Sequence, residues 1–352
     1  MKLKEFLATM GSLMESAPKQ VLTGGERMVF VSDMHLGDRS SRDDFVRNEE
    51  LVMGALGSYY LNRGWRLVLN GDIEELHKFR LETIRSSYAH LFDLFRSFAS
   101  GPGLAKIVGN HDLGLFLREE DEFPRDHALR LERPDGTLLA FRGHQAHKLF
   151  MKYNYLSDFI VRYIADPLHI HNLDIPMTSA RRFKAERRIY RASKELGIVS
   201  IAGHTHRPLF ESYSKYDTVR WNIEAMLRRY TLAAEEDKPN LSQLIGIYSA
   251  EFKRLSKKDK KRKVSRSLYE REELLYPCMF NSGCLTARGG FTAIEVEGPD
   301  IYLVYWSKEG AARPYIEREA HYTDQCAGTP WLKYTLSRDS LDYVFARIRL
   351  LG

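Results

Sequence analysis

Cysteine is scarce in this 352-residue chain: Cys278, Cys284 and Cys326 are the three present, and none forms a CxxC pair. That excludes a disulfide framework and a thiolate metal site, and it points to a reducing compartment such as a bacterial cytoplasm. Long apolar runs are also missing, since no stretch approaches the roughly 20 residues that span a bilayer. At the N-terminus Leu3, Phe6, Leu7, Met10, Leu13 and Met14 have helical spacing, but Lys4, Glu5 and Thr9 interrupt what a signal peptide requires. This segment reads as an amphipathic helix packed on the body, with a membrane-surface anchor as the second reading. Net charge is nearly absent outside one stretch. The formal charge is +6, and Lys253 to Lys263 alone sets eight basic residues against one acidic. That run lacks interleaved aromatics, so a nucleic-acid partner is the less favoured reading. No internal repeat is visible.

Short apolar runs are present, with helix-like segments between them. The candidate strands are 28–32, 66–70, 105–108, 138–141 and 197–202, and segments 45–63 and 81–99 have apolar residues at helical spacing. Such alternation argues for a layered α/β fold. Near the C-terminus "GGFTAIEVEG" and "IYLVYW" read as adjacent strands joined by a Gly-Pro-Asp turn. Two regions break the rhythm. Residues 147–195 hold no clear strand and end in a basic helix capped by Thr178 or Ser179, and residues 215–275 are helical and charged. Both read as helical insertions, at about 147–195 and 215–275, within one domain spanning 1–352.

Each central strand runs straight into a polar group. The first is followed by Asp33 and His35, which an extended chain would point the same way. The second leads to Asp72, the third to Asn110, His111 and Asp112, the fourth to Arg142 and His144, and the fifth to His204 and His206. Strand ends of this kind form ligand sites in α/β sheets. A lone Asp-x-His or strand-end His is ordinary turn chemistry, but five such turns in series are not. Asp, Asn and His without Cys suit Mn²⁺, Fe or Zn²⁺ rather than structural zinc. The number of donors exceeds what one ion needs.

"DMH", "GD", "GNHD" and "GHTH", in this order over about 28–210, resemble the calcineurin-like metallophosphoesterase superfamily. The stretch "FNSGCLTARGGFTAIEV" also resembles that family's closing sheet. The resemblance implies a two-sheet αββα sandwich with two divalent ions, Mn²⁺ before Fe or Zn²⁺, at the sheet edge. It places Asp33, His35 and His206 on one ion, Asp72 between both, and Asn110 and His204 on the second. A hydroxide held between the ions would attack phosphorus in a phosphomonoester, phosphodiester or pyrophosphate. His111 would serve the leaving oxygen, with Asp112 orienting its ring.

One turn departs from the family pattern. The fourth usually reads His-Gly, where that His ligates the second ion, but this chain has Arg142-Gly143-His144. Either His144 reaches into that position, or the second site lacks a ligand and Arg142 lies near the substrate phosphate. Within the superfamily, "SDMHLGD" and "GHTHRP" look closest to the UDP-2,3-diacylglucosamine hydrolase branch, which cleaves a lipid-linked pyrophosphate. That branch usually carries Arg where His111 stands, and its chains are shorter. The apolar, aromatic stretch "LFMKYNYLSDFIVRYI" could cover an acyl chain or pack as a lid, and "HIHN" at 169–172 reads as lid or loop. His147 reads as lying behind the ligands or on the surface. The "GDxxDRG" block of protein phosphatases is absent. A silent scaffold is the least favoured reading, because His111 is retained. The expected partner is a phosphorylated small molecule or lipid. The expected location is cytoplasmic, with peripheral membrane contact as an alternative, and the sequence does not set the oligomeric state.

Overall fold

Every apolar run read as a strand forms one. The computed structural model describes residues 3–118, 122–146, 179–262, 276–312, 316–317 and 320–351. Among these, fifteen strands make two sheets. In the first sheet the order is β14 (Tyr322–Gln325), β15 (Trp331–Ser340), β13 (Asp300–Lys308), β12 (Phe291–Glu297), β2 (Arg27–Val31), β3 (Arg66–Asn70), β4 (Leu104–Ile107) and β5 (Arg125–Asp126). The half from β2 to β5 is parallel and the rest is antiparallel. The second sheet runs β1 (Lys19–Val21), β6 (Ala128–Arg133), β7 (Gly136–Phe141), β8 (Val199–Ala202), β11 (Met279–Asn281), β9 (Leu209–Phe210) and β10 (Tyr213–Ser214). The β12–β13 pair joined by Gly298-Pro299-Asp300 matches its reading, with Glu297 opposite Asp300 and Phe291 opposite Trp306.

Strand β2 shows how the layers arise. Its side chains alternate between two apolar clusters. Met28 and Phe30 face a cluster that includes Leu129, Leu139 and Ile201 of the other sheet. Val29 and Val31 face Phe45, Val52, Phe92 and Phe95 on the helical side. Both faces are buried, so the run reads as continuously apolar. The helix α1 (Leu3–Ser16) buries Phe6 and Met10 in the inter-sheet cluster, which also holds Ala185 and Ile189 of the helix at 179–196. The N-terminal helix is therefore packed on the body. The two-sheet sandwich flanked by helices is the architecture expected from the sequence.

The helices differ in detail from their periodicity. Residues 46–63 are helical, but α2 (Glu49–Met53) continues as a wider π turn, Gly54–Tyr60. Gly54 meets Trp331 closely there, and a Cβ would come within 2.6 Å of its Nε1. The segment 81–99 is two helices, α3 (Leu81–Ser87) and α4 (Ala89–Ser100), broken at Tyr88. Tyr88 is buried and its hydroxyl donates to Asp43 at 2.6 Å, a tertiary contact that periodicity does not encode. The first insertion ends in α5 (Ser179–Leu196), as read, while its residues 147–178, including His147 and the "HIHN" stretch, lie outside the described residues. The second contains α6 (Lys215–Leu232) and α7 (Lys238–Arg262), which pack through Val219, Ile223, Met226, Leu244 and Tyr248. A final helix, α8 (Leu341–Leu351), follows β15. No described helix is long and apolar enough to cross a membrane.

Phe30 is fully buried between the sheets. Replacing it with alanine is expected to cost about 3–5 kcal/mol, read as a lower urea midpoint. A cost below about 1 kcal/mol would contradict this packing.

Candidate metal centre

The strand-end turns meet through their backbones. Asp33 N–H donates to Gly71 O at 3.1 Å, His35 N–H to Asp72 O at 3.0 Å, and Leu76 N–H to His111 O at 3.1 Å. The convergence of Asp33 and His35 does not come from an extended chain. β2 ends at Val31, and both residues have positive φ, 60° and 50°. His204 and His206 repeat the pattern after β8 at 69° and 55°, and Asp72 stands at 53°. The left-handed region disfavours side chains with a Cβ, by roughly 1–2 kcal/mol per residue. Such strain persists where the surroundings over-determine it, and it clusters at functional sites.

Asp33 and Asp72 are fully buried, whereas the His35, His111 and His206 side chains are 13, 17 and 29% exposed. The site thus grades from carboxylates at its floor to imidazoles at its mouth. His206 Nε2 lies 2.7 Å from Asp33 Oδ1, and His35 Nε2 lies 3.6 Å from the same oxygen and 4.0 Å from Asp72 Oδ2. Asp33, His35 and His206 each bring one donor atom within 4.8 Å of the others. His35 Nε2 is buried and makes no hydrogen bond, as a ring nitrogen kept for a metal ion would be. The oxygen and imidazole donors fit a divalent cation there.

The electrostatics express the same demand for positive charge. Burial alone would raise the Asp33 and Asp72 carboxyls, but Arg142 and the neighbouring imidazoles hold both well below the usual range. Burial opposes protonation of His35, yet the Asp33 and Glu75 carboxylates beside its ring push it up to about 10. His206 rises to about 9, its burial outweighed by the Asp33 charge. Asp112 rises to about 7 through burial and the nearby Asp72 and Glu74 charges.

His144 and His204 are buried with ring centroids 6.3 Å apart. The Asn110 Oδ1 is buried without a hydrogen bond. Arg142 is 1% exposed and bonded to Asp33 and Asp72, committed to carboxylates rather than presented to solvent. Both Asp112 oxygens accept backbone N–H groups, from Gly109 at 2.5 Å and Ile73 at 2.7 Å.

With this geometry in view, comparison with known proteins adds little. No family model and no curated protein matches the chain. Among solved structures, a single mutant of Vps29 from Entamoeba histolytica is similar at 10% identity and a TM-score of 0.33. The match covers 81% of this chain and 94% of that one. A likeness so distant bears on neither activity nor substrate.

Sequence reading missed Glu75. Its carboxylate lies between two rings, Oε2 at 2.9 Å from His35 Nδ1 and Oε1 at 2.7 Å from His111 Nδ1. The carboxylate on the Nδ1 of His111 is therefore Glu75, not the expected Asp112. Accepting from both Nδ1–H groups fixes each ring's tautomer and turns each Nε2 toward Asp72. Bonds from these rings outweigh burial and keep the Glu75 carboxyl well below the usual range. The neighbouring Glu74 instead pairs with buried Lys106 at 2.6 Å. The only sequence signal was an acid three residues past Asp72, with nothing to choose between Glu74 and Glu75. Glu75→Gln can satisfy one ring but not both, so Mn²⁺ affinity by calorimetry is expected to fall about 10- to 100-fold. An affinity within about twofold of wild type would remove Glu75 from this role.

Proposed function

We propose that the chain is a divalent-metal-dependent hydrolase of phosphoric esters, acting on a phosphomonoester, phosphodiester or pyrophosphate. The observation that carries this reading is the convergence of Asp33, His35 and His206 beside Asp72, on strained turns where the two sheets meet. The order of motifs resembling metallophosphoesterases supports the same chemistry. Asp33, His35, Asp72 and His206 would hold the ion, and two carboxylates with two imidazoles suit Mn²⁺, Fe or Zn²⁺, of which Mn²⁺ is tried first. A bound divalent ion supplies a nucleophilic water at neutral pH and neutralises charge on the phosphoryl oxygens. His111, with Nδ1 held on Glu75, has Nε2 to donate a proton to the departing oxygen. Asp112 serves this step indirectly, its carboxylate accepting from Gly109 N–H within the turn and from Ile73 N–H beside it.

A lipid-linked pyrophosphate, such as a UDP-sugar lipid, is the substrate reading that has an observation of its own. Helix α6 exposes Trp221 by 58% and Leu232 by 88%, with Arg228 between them at helical spacing. Apolar and basic groups together suit an anionic lipid surface. A nucleic-acid phosphodiester has no comparable support.

Asp72→Asn preserves shape while removing a charged donor. It is expected to lower kcat/KM toward bis(p-nitrophenyl) phosphate by about a hundredfold or more, with an unchanged circular dichroism spectrum. Chelation should abolish wild-type turnover and Mn²⁺ restore it. Wild-type rates in the variant, or turnover indifferent to chelator, would refute the proposal. For the lipid reading, the protein should sediment with anionic vesicles and Trp221→Ser with Leu232→Ser should release it. No sedimentation of wild type would remove that reading.

A further inference from the structure

Among the turns at the sheet edge, the one after β7 carries a cation of its own. Arg142 follows β7 directly, and its guanidinium takes both oxygens of Asp33, Nη1 to Oδ2 at 3.0 Å and Nη2 to Oδ1 at 2.7 Å. Nη2 also donates to Asp72 Oδ2. The seat for this side chain is built by three other turns. A methyl at Gly109 would come within 2.9 Å of Arg142 Nε, and one at Gly203 within 2.9 Å of Nη1. One at Gly71 would overlap Arg142 Cδ. The Arg142 carbonyl in turn accepts from Gly203 N–H at 3.2 Å. Glycines from both sheets thus clear the path along which the guanidinium reaches the carboxylates.

We infer that Arg142 stands in for a second metal ion, so that the centre takes one divalent cation at Asp33, His35 and His206 beside a fixed guanidinium on Asp33 and Asp72. This rests on the metal-dependent reading above and narrows it. A guanidinium cannot be deprotonated in a protein, so its positive charge is permanent at this place. It also bonds the Asp72 carboxylate that two ions would have to share. Asp33, Asp72 and Glu75, the carboxylates bonded to the guanidinium or to the site imidazoles, are matched by one divalent ion with one guanidinium. The two-ion arrangement implied by family resemblance therefore does not fit this chain's fourth turn. Among the described residues neither His144 nor His204, whose rings lie 6.3 Å apart, belongs to a group of converging donors.

The test is metal stoichiometry, which needs no substrate. Wild-type protein equilibrated with Mn²⁺ should retain about one ion per chain by elemental analysis and calorimetry. Arg142→His returns an imidazole to this turn and should raise the count to about two, with Asn110, His204 and Asp72 as the remaining donors. Arg142→Lys keeps the charge and should stay at about one. Two ions in wild type would overturn the inference whether or not the variants fold, while leaving metal dependence intact. A folded Arg142→His protein still holding one ion would also overturn it. No ion in wild type would overturn this inference together with the metal-dependent reading.

Discussion

Asp33 and Asp72 are fully buried at the point where two sheets meet, and how their charge is compensated organises everything around them. Taking a carboxylate out of water costs several kcal/mol, recovered only through well-placed partners. Here the partners come from every side: Arg142 from β7, His35 from β2, His206 from β8, and backbone N–H groups of His111 and His204. Deleting one partner from such a network typically costs about 3–5 kcal/mol because the remaining charge is stranded. The same compensation that permits burial leaves the outward imidazole nitrogens and carboxylate oxygens facing one another, which is a geometry suited to a cation.

Backbone conformation is the second constraint. Five site residues occupy the left-handed region without being glycine. None could do so in an isolated turn at little cost. They are held because neighbouring turns bond to each other laterally and because the strands beneath are buried on both faces. Rigidity of the sheet edge is thus transferred to side chains, and the apolar clusters are what make the strained polar turns affordable.

Much of the fold was legible because parallel strands buried on both faces are short, continuous apolar runs. Strands of two or three residues, such as β5, β9 and β10, carry too little pattern to be read. The break at Tyr88 was invisible, as it accompanies a contact with Asp43 distant in sequence. In the site, motif order brought forward Asp33, His35, Asp72, His111, His204 and His206, since each stands at a strand end. Glu75 was not legible. Glu74 and Glu75 are chemically identical neighbours, and only their surroundings send one to Lys106 and the other to two imidazoles.

From sequence alone came the strand ends, the polar residues on them and the chemistry that Asp, Asn and His without Cys can support. These are local properties, carried by residue type and spacing. The partner each polar group takes was decided by tertiary structure. Arg142 could have faced solvent, a phosphate or a carboxylate, and its sequence context is compatible with all three. Packing decided it, because glycine turns from both sheets open one buried path and two carboxylates lie at its end.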